Sequence, residues 1–266
     1  TGLHVNRWGV GLPILISAFI GTLGFPVVLN LVQCARRRLS PKRWTLHTKL
    51  TLVTTAVLVA TSLAWFLLVE WSNTGLFPAD DPGMKMRRAM SAAVMPRSAG
   101  FDISWVPEVT NETKVFMSIL MFIGAGSSST AGGIRVTTFA VILLICRAAF
   151  TGHRDVTVFR RRIPRRIQMT AVSVTTACFA LVMVGAMMLM FTTGCAFVDA
   201  VFEACSAFSL GGYSVGVASA DNPASLFILS AEMIVGRLGP LTIAFSISRP
   251  MAPEPIRYPQ ENIIVG

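Results

Sequence analysis

The chain has 266 residues, of which 53% are hydrophobic and only 14% charged, and its mean hydropathy is +0.64. Such a composition excludes an ordinary water-soluble domain of this length and points to a membrane protein. The formal charge of +10 does not argue for nucleic acid, because the basic residues lie in connections between apolar stretches rather than among stacking aromatics.

A hydrocarbon core about 30 Å thick takes roughly 20 apolar residues at the helical rise. In chain order, Trp8 to Ala35 is the first stretch without Asp, Glu, Lys or Arg. It is too long for a secretory signal and follows no basic start, so it reads as a spanning helix. Arg36, Arg37, Arg38, Lys42, Arg43 and Lys49 form a basic cluster before the second charge-free stretch, Leu50 to Val69. A connection of mixed charge, Glu70 to Lys114, leads to the third, Val115 to Ile134. A second basic cluster, Arg147, Arg154, Arg160, Arg161, Arg162, Arg165 and Arg166, precedes the fourth, Ile167 to Val198. Ser225 to Ser248 is the fifth apolar region, interrupted only by Glu232 and Arg237. Five spanning helices are predicted. Two of them lie between the basic clusters, so both clusters fall on one side, the cytoplasmic one by the positive-inside rule, and the connection from Glu70 to Lys114 lies outside.

An internal repeat refines this picture. Ala92 to Phe101 reads AAVMPRSAGF and Ala204 to Tyr213 reads ACSAFSLGGY, so Gly100 and Gly212, each followed by an aromatic, stand 112 positions apart. Ile123-Gly124 and Val235-Gly236 repeat the same offset of 112. Gly21-Thr22-Leu23-Gly24 resembles Gly236-Arg237-Leu238-Gly239, which makes Trp8 to Val32 the closing helix of an earlier unit whose opening parts would precede Thr1. The expected organisation is therefore a closing helix and loop over 1–47, one complete helix, pore-loop, helix unit with its basic loop over 48–162, and a second such unit with a tail over 163–266. The first complete unit has an opening helix near Thr48 to Trp71, a re-entrant helix near Met84 to Met95, a loop at Arg97 to Asp102 and a return helix from Thr113 to Cys146. The second has an opening helix near Ile163 to Phe191, a pore helix near Val198 to Phe208, a loop at Ser209 to Ser214 and a return helix near Ser225 to Ser248.

Non-helical backbone at membrane depth is tolerated only where protein buries it or where it lines a wet cavity. A half-span helix followed by a glycine loop fits the second case, since glycine lets successive carbonyl oxygens point at one axis and replace the hydration shell of a monovalent cation. No acidic ring precedes either glycine, although Asp102 follows Gly100 closely. One Gly-aromatic pair alone would read as a turn or packing contact; two at the repeat offset favour an ion path. Gly124 to Gly133 contains four glycines and three consecutive serines in mid-membrane, a composition that weakens a helix and predicts a broken or loop-like segment.

These residues carry a specific resemblance. Met95-Pro96-Arg97-Ser98-Ala99-Gly100-Phe101 is similar to the third filter motif of the Trk/Ktr/HKT superfamily of potassium uptake proteins, and Phe202 to Phe208 leading to Gly212 is similar to the fourth. Phe122 to Ile134 resembles the broken third return helix, Gly236 to Thr242 the fourth, and Arg257-Tyr258-Pro259 through Ile264-Val265-Gly266 the C-terminus. The resemblance covers nearly the whole chain, as the C-terminal portion of a TrkH/KtrB-type subunit. It implies an all-α polytopic membrane protein with repeated units around a central ion pore, in the plasma membrane, and potassium as substrate with no cofactor and no enzymatic activity. It further implies a homodimer regulated by a cytosolic nucleotide-binding RCK subunit. The filter residues it implies are Ser98, Ala99, Gly100, Leu210, Gly211 and Gly212. The gate residues are Gly124, Gly126, Ser127, Ser128, Ser129, Thr130, Gly132, Gly133 and Arg237. Ser98 stands where many relatives have threonine, and Ser209-Leu210-Gly211 replaces a commoner glycine-threonine-valine run. A sodium or mixed-cation transporter of the same superfamily stays open.

The remaining polar residues suggest other roles. Arg237, costly in an apolar span, is expected to find carbonyls of the glycine-serine loop and form a barrier below the filter, or else to pair with Glu232 or reach an interface. Glu70 and Glu203 read as structural carboxylates at span edges, and Asp199 as an N-terminal cap of the fourth pore helix. His4, His47 and His153 lack metal-ligand spacing, and the five cysteines show no CxxC pattern. Met183, Met187, Met188 and Met190 suit lipid-facing or interhelical packing. A membrane-embedded enzyme would need convergent nucleophiles or carboxylates, and a proton-coupled carrier a chain of ionisable groups; the sequence offers few of either.

Overall fold

The computed structural model describes residues 8–38, 43–71, 73, 82–97, 100, 105–129, 131–153, 155–218 and 222–239. The chain begins with α1 (Trp8–Leu23) and α2 (Phe25–Arg36), which meet at a bend of 99°. The sequence predicts one helix here. Gly24, at φ 83° and ψ 151°, has left helical geometry, and Pro26 in the first turn of α2 has no N–H to continue the ladder.

The next unit opens with α3 (Leu46–Val69), a helix of 24 residues capped by the Thr45 hydroxyl, which accepts from the Thr48 amide at 3.2 Å. α4 (Pro82–Val94) follows and tightens into a 3-10 turn over Met95–Arg97. α5 (Asn111–Ile123), capped by Thr110, and α6 (Val136–Phe150) are the two halves of the predicted return helix. The second unit comprises α7 (Arg165–Thr193), α8 (Phe197–Ser209) and α9 (Pro223–Leu238). The predicted range beyond Gly239, with Pro240 to Thr242 and the tail, lies outside the described residues.

Among the described residues, α3 and α7 are long and apolar enough to cross a membrane, and the bent α1–α2 pair makes a third span if taken as one. The count of five predicted spans changes because the third return helix is divided and the fourth is described only in part. α4 and α8, at 13 residues each, reach about 20 Å and cannot span a core about 30 Å thick. The protein is thus an all-α membrane protein in which helix, short re-entrant helix and return helix recur.

α8 lies at the centre of this packing, against α5, α7 and α9, and every residue from Phe202 to Ser209 is buried. Phe202, Phe208, Met95, Met117, Met121 and Leu189 form the core around it. The outer faces of the long helices carry exposed Val53, Val57, Met187, Met188 and Phe191, as expected where lipid rather than water is the solvent. A small hairpin absent from the sequence reading, β1 (Thr157–Val158) with β2 (Arg161–Arg162), sits in the second basic loop. Its turn residues Phe159 and Arg160 have φ of 48° and 60°, a geometry usually given to Asn-Gly, which is why no hairpin signal is legible there.

Candidate functional site

The site begins where α8 ends. Leu210 turns left-handed (φ 59°, ψ 34°) and its amide donates to Ala207 O at 3.1 Å, while the Gly211 amide donates to Ser206 O at 2.9 Å. The Ser206 hydroxyl accepts from the Tyr213 amide at 2.9 Å. Below the loop, buried Glu203 accepts from the Ser214 hydroxyl and from the amides of Val215 at 2.9 Å and Val217 at 3.3 Å. One carboxylate therefore ties down the chain that follows Gly212, the structural role expected of Glu203. Tyr213 packs on Trp105 with ring centroids 6.0 Å apart, and Trp105 meets Phe66 edge-on at 5.9 Å.

The two repeat glycines come together here. Gly100 (φ 55°) and Gly212 (φ 75°) meet backbone to backbone: a Cβ on Gly212 would stand 3.6 Å from Gly100 Cα, and one on Gly100 would collide with the Gly211 carbonyl. At Gly100 positive φ and close approach both select glycine, and at Gly212 positive φ does. Gly100, Leu210, Gly211 and Gly212 thus belong to one locus, whereas Ser98 and Ala99 lie outside the described residues, as do Phe101 and Asp102.

Directly connected to this locus is the interruption between α5 and α6. Its backbone is bonded in several directions: the Gly126 amide donates to Thr22 O at 2.7 Å, the Ser129 hydroxyl to Gly21 O at 2.9 Å, and the Gly132 amide to Ser209 O at 2.8 Å. Ile134 N to Phe122 O at 3.0 Å and Val136 N to Ala125 O at 3.1 Å close the loop on itself. Ser127 Oγ and Thr137 Oγ1 share a hydrogen bond of 3.2 Å, and Ser128 adopts φ 60°. Gly132 lies so near the end of α8 that a Cβ would strike the Phe208 carbonyl. Gly124, Gly126, Ser127, Ser128, Ser129, Gly132 and Gly133 therefore share one segment that touches the break at Gly24 and the base of the Gly212 loop; Thr130 lies outside the described residues.

Two arginines secure this segment. Arg97, 1% exposed, donates from Nε and from Nη2 to Gly124 O, each at 3.3 Å. Arg135, at the start of α6 with φ 71°, donates from Nη1 to Ala131 O at 2.7 Å, Ser129 O at 3.3 Å and Gly126 O at 3.4 Å. The loop carbonyls that the sequence reading offers to Arg237 are thus engaged by Arg135. Arg237 occupies the last turn of α9, close enough for its charge to repel that of Arg135. Its pairing with Glu232 is not the arrangement found: among the described residues neither Glu232 carboxyl oxygen has a hydrogen-bond partner, and the group packs against Gly185 of α7.

Asp199 does not cap α8; the N-cap is Ala196 without a side-chain bond, and Asp199 in the first turn pairs with Lys114 of α5 at 2.8 Å. That position still suits the positive helix end. Glu70 accepts from the Thr110 amide at 3.2 Å, the Thr110 hydroxyl at 2.7 Å and Asn73 Nδ2 at 2.6 Å, tying the end of α3 to the start of α5. Among the described residues no three His, Cys, Asp or Glu are grouped to hold a metal. Neither Arg135 nor the role of Arg97 is marked by a motif along the chain. Only position distinguishes Arg135, the first charge after the charge-free stretch ending at Ile134.

A family model described as TrkH, cation transport protein, matches residues 6–253. The chain is 35% identical over 263 residues to Ktr system potassium uptake protein B of Bacillus subtilis, covering 99% of this chain and 58% of the relative. It is 30% identical to the protein of the same description from Vibrio alginolyticus, covering 95% of this chain and 55% of that one. It is 28% identical to potassium/sodium uptake protein NtpJ of Enterococcus hirae, covering 99% and 59%. The chain thus spans somewhat over half the length of these relatives. In fold it is similar to the crystal structure of the potassium transporter TrkH from Vibrio parahaemolyticus, with a TM-score of 0.70 at 17% identity, covering 91% of this chain and 52% of that one.

Proposed function

Because the chain belongs to the TrkH family of cation transport proteins, we propose that it forms part of the translocating subunit of a potassium uptake system. The observation that carries this reading is the meeting of Gly100 and Gly212 from two repeated units at the ends of α4 and α8. Backbone carbonyls of Ser98 to Gly100 and of Leu210 to Gly212 replace the hydration shell of a potassium ion, the substrate; no cofactor takes part. The segment from Gly124 to Gly133, including Thr130, is the gate beneath them, and Arg237 adds a positive barrier.

The units divide at 1–47, 48–162 and 163–266. The subunit works as a homodimer in the plasma membrane with a cytosolic nucleotide-binding RCK partner, and it carries no enzymatic activity. A sodium or mixed-cation substrate is the second reading, favoured by the potassium/sodium description of the Enterococcus hirae relative.

The test is growth at low potassium of a bacterium lacking its own uptake systems, with this chain expressed alone and within the complete product of its gene. Rescue by the complete product, lost with Gly212→Asp at unchanged expression, supports the reading. Rescue of sodium uptake without potassium uptake favours the second, and no cation uptake by either form overturns both.

A further inference from the structure

Beneath the interrupted segment lies a cavity of about 730 Å³, within the roughly 300–1,000 Å³ of sites that hold small organic ligands. Ser127, Gly133, Ile134 and Arg135 line the side nearest the loop. Apolar residues of three helices line its flanks: Leu50 of α3, Val141 of α6, and Ile167, Ala171 and Val174 of α7. Arg162 of β2 and Arg166 in the first turn of α7 add two charges, both exposed. His47 also lines the space, and its Nε2 is buried without a hydrogen-bond partner among the described residues. No described lining residue is acidic.

This combination is poorly suited to a cation, which three arginines would repel. It suits an anion with an apolar body. Arg162 pairs with Asp155 at 2.7 Å, but the two side chains are 69% and 46% exposed, and such a pair contributes little and yields to a competing anion. Arg166 has no carboxylate partner among the described residues. The openings of α3 and α7 that line the cavity directly follow the two basic clusters, so the cavity lies at the cytoplasmic end, where anionic headgroups concentrate.

We propose that the cavity is a binding site for an anionic phospholipid of the inner leaflet. The phosphodiester sits between Arg162 and Arg166 within reach of His47, and one acyl chain runs along Leu50, Val141, Ala171 and Val174. A free phosphate would satisfy the rim alone and leave the apolar walls uncovered. Because Arg135 borders the same space while clamping the loop, a bound lipid also supports the segment beneath the Gly100–Gly212 locus.

The test is native mass spectrometry of the complete protein released from detergent in the presence of phosphatidylglycerol or phosphatidylcholine. Phosphatidylglycerol is expected to be retained at least about tenfold better than phosphatidylcholine. Arg166→Gln, which removes a rim charge, and Ala171→Trp, which fills the chain path, should each reduce that retention about fivefold or more. Arg161→Gln, an exposed charge outside the cavity, should leave it unchanged; an unaltered melting temperature shows that a variant has folded, and Arg166→Gln decides the matter if Ala171→Trp has not. Equal retention of the two lipids, equal loss with Arg161→Gln and Arg166→Gln, or displacement of the lipid by millimolar inorganic phosphate would each overturn the proposal. The last two outcomes would point to diffuse surface charge and to a free-anion site respectively.

Discussion

The guanidinium of Arg97 reaches from the end of the first re-entrant helix to the Gly124 carbonyl, the point at which α5 stops being helical. A helix that ends inside a membrane leaves carbonyls without intrahelical partners, and here a fully buried side chain supplies donors. Arg97→Leu should therefore lower stability by about 1–3 kcal/mol, the cost of an unsatisfied buried acceptor. Melting of the purified protein in detergent checks this; a melting temperature equal to that of the unaltered protein would show that Gly124 O finds another donor without loss.

The apposition of Gly100 and Gly212 predicts a graded response. Alanine at either position accepts a left-handed backbone at about 1–2 kcal/mol, and at Gly100 it also meets the Gly211 carbonyl. Gly194→Ala is the matching control, because Gly194 has φ 67° and no atom of the described residues lies within 4 Å of its missing Cβ. Rubidium uptake should fall at least about tenfold for Gly100→Ala and stay near normal for Gly194→Ala. Equal uptake by the two variants would separate the glycine locus from transport.

Arg135 holds three carbonyls of the interruption. Arg135→Gln should loosen the segment and raise basal rubidium flux about tenfold, the effect of about 1.4 kcal/mol on a closed-to-open equilibrium. Arg237→Ala should raise flux in the same direction by removing a positive barrier. A fall in flux for both at normal expression would mean that these charges support the open path instead of restricting it.

Glu70 offers a pH test outside the spans. Burial pushes its carboxyl up, but hydrogen bonds from Thr113, Thr110 and Asn73 outweigh this and hold it below the usual carboxylate value. A depressed folded pKa gives stability that is present above the unfolded value, about 4.3, and is lost as pH falls through the folded one. The melting-temperature gap between the unaltered protein and Glu70→Gln should thus be constant near neutrality and shrink below about pH 4. A gap that persists undiminished to pH 2 would show that the charge on Glu70 contributes nothing.

Glu232 and Gly185 show where linear reading stops. By sequence Gly185 is an ordinary packing glycine and a natural control for substitutions in the loops. In the fold the Glu232 carboxyl fills the space its Cβ would take, so Gly185→Ala displaces a buried acid and is no control at all. The same holds for Asp199, whose place near a helix start suggests a cap, while its partner Lys114 comes from another unit 85 positions away.

The sequence by itself determined the membrane class, the repeat offset of 112 and the glycines of both loops, because apolar length and backbone freedom are properties of a local run of residues. Only the tertiary structure decided the 99° bend at Gly24, the pairing of Gly100 with Gly212, and which arginine engages which carbonyl. A carbonyl freed by a broken helix accepts from whichever donor the packing brings within about 3 Å, and three arginines, Arg97, Arg135 and Arg237, stand near enough in the repeats for that choice to lie beyond any pattern along the chain.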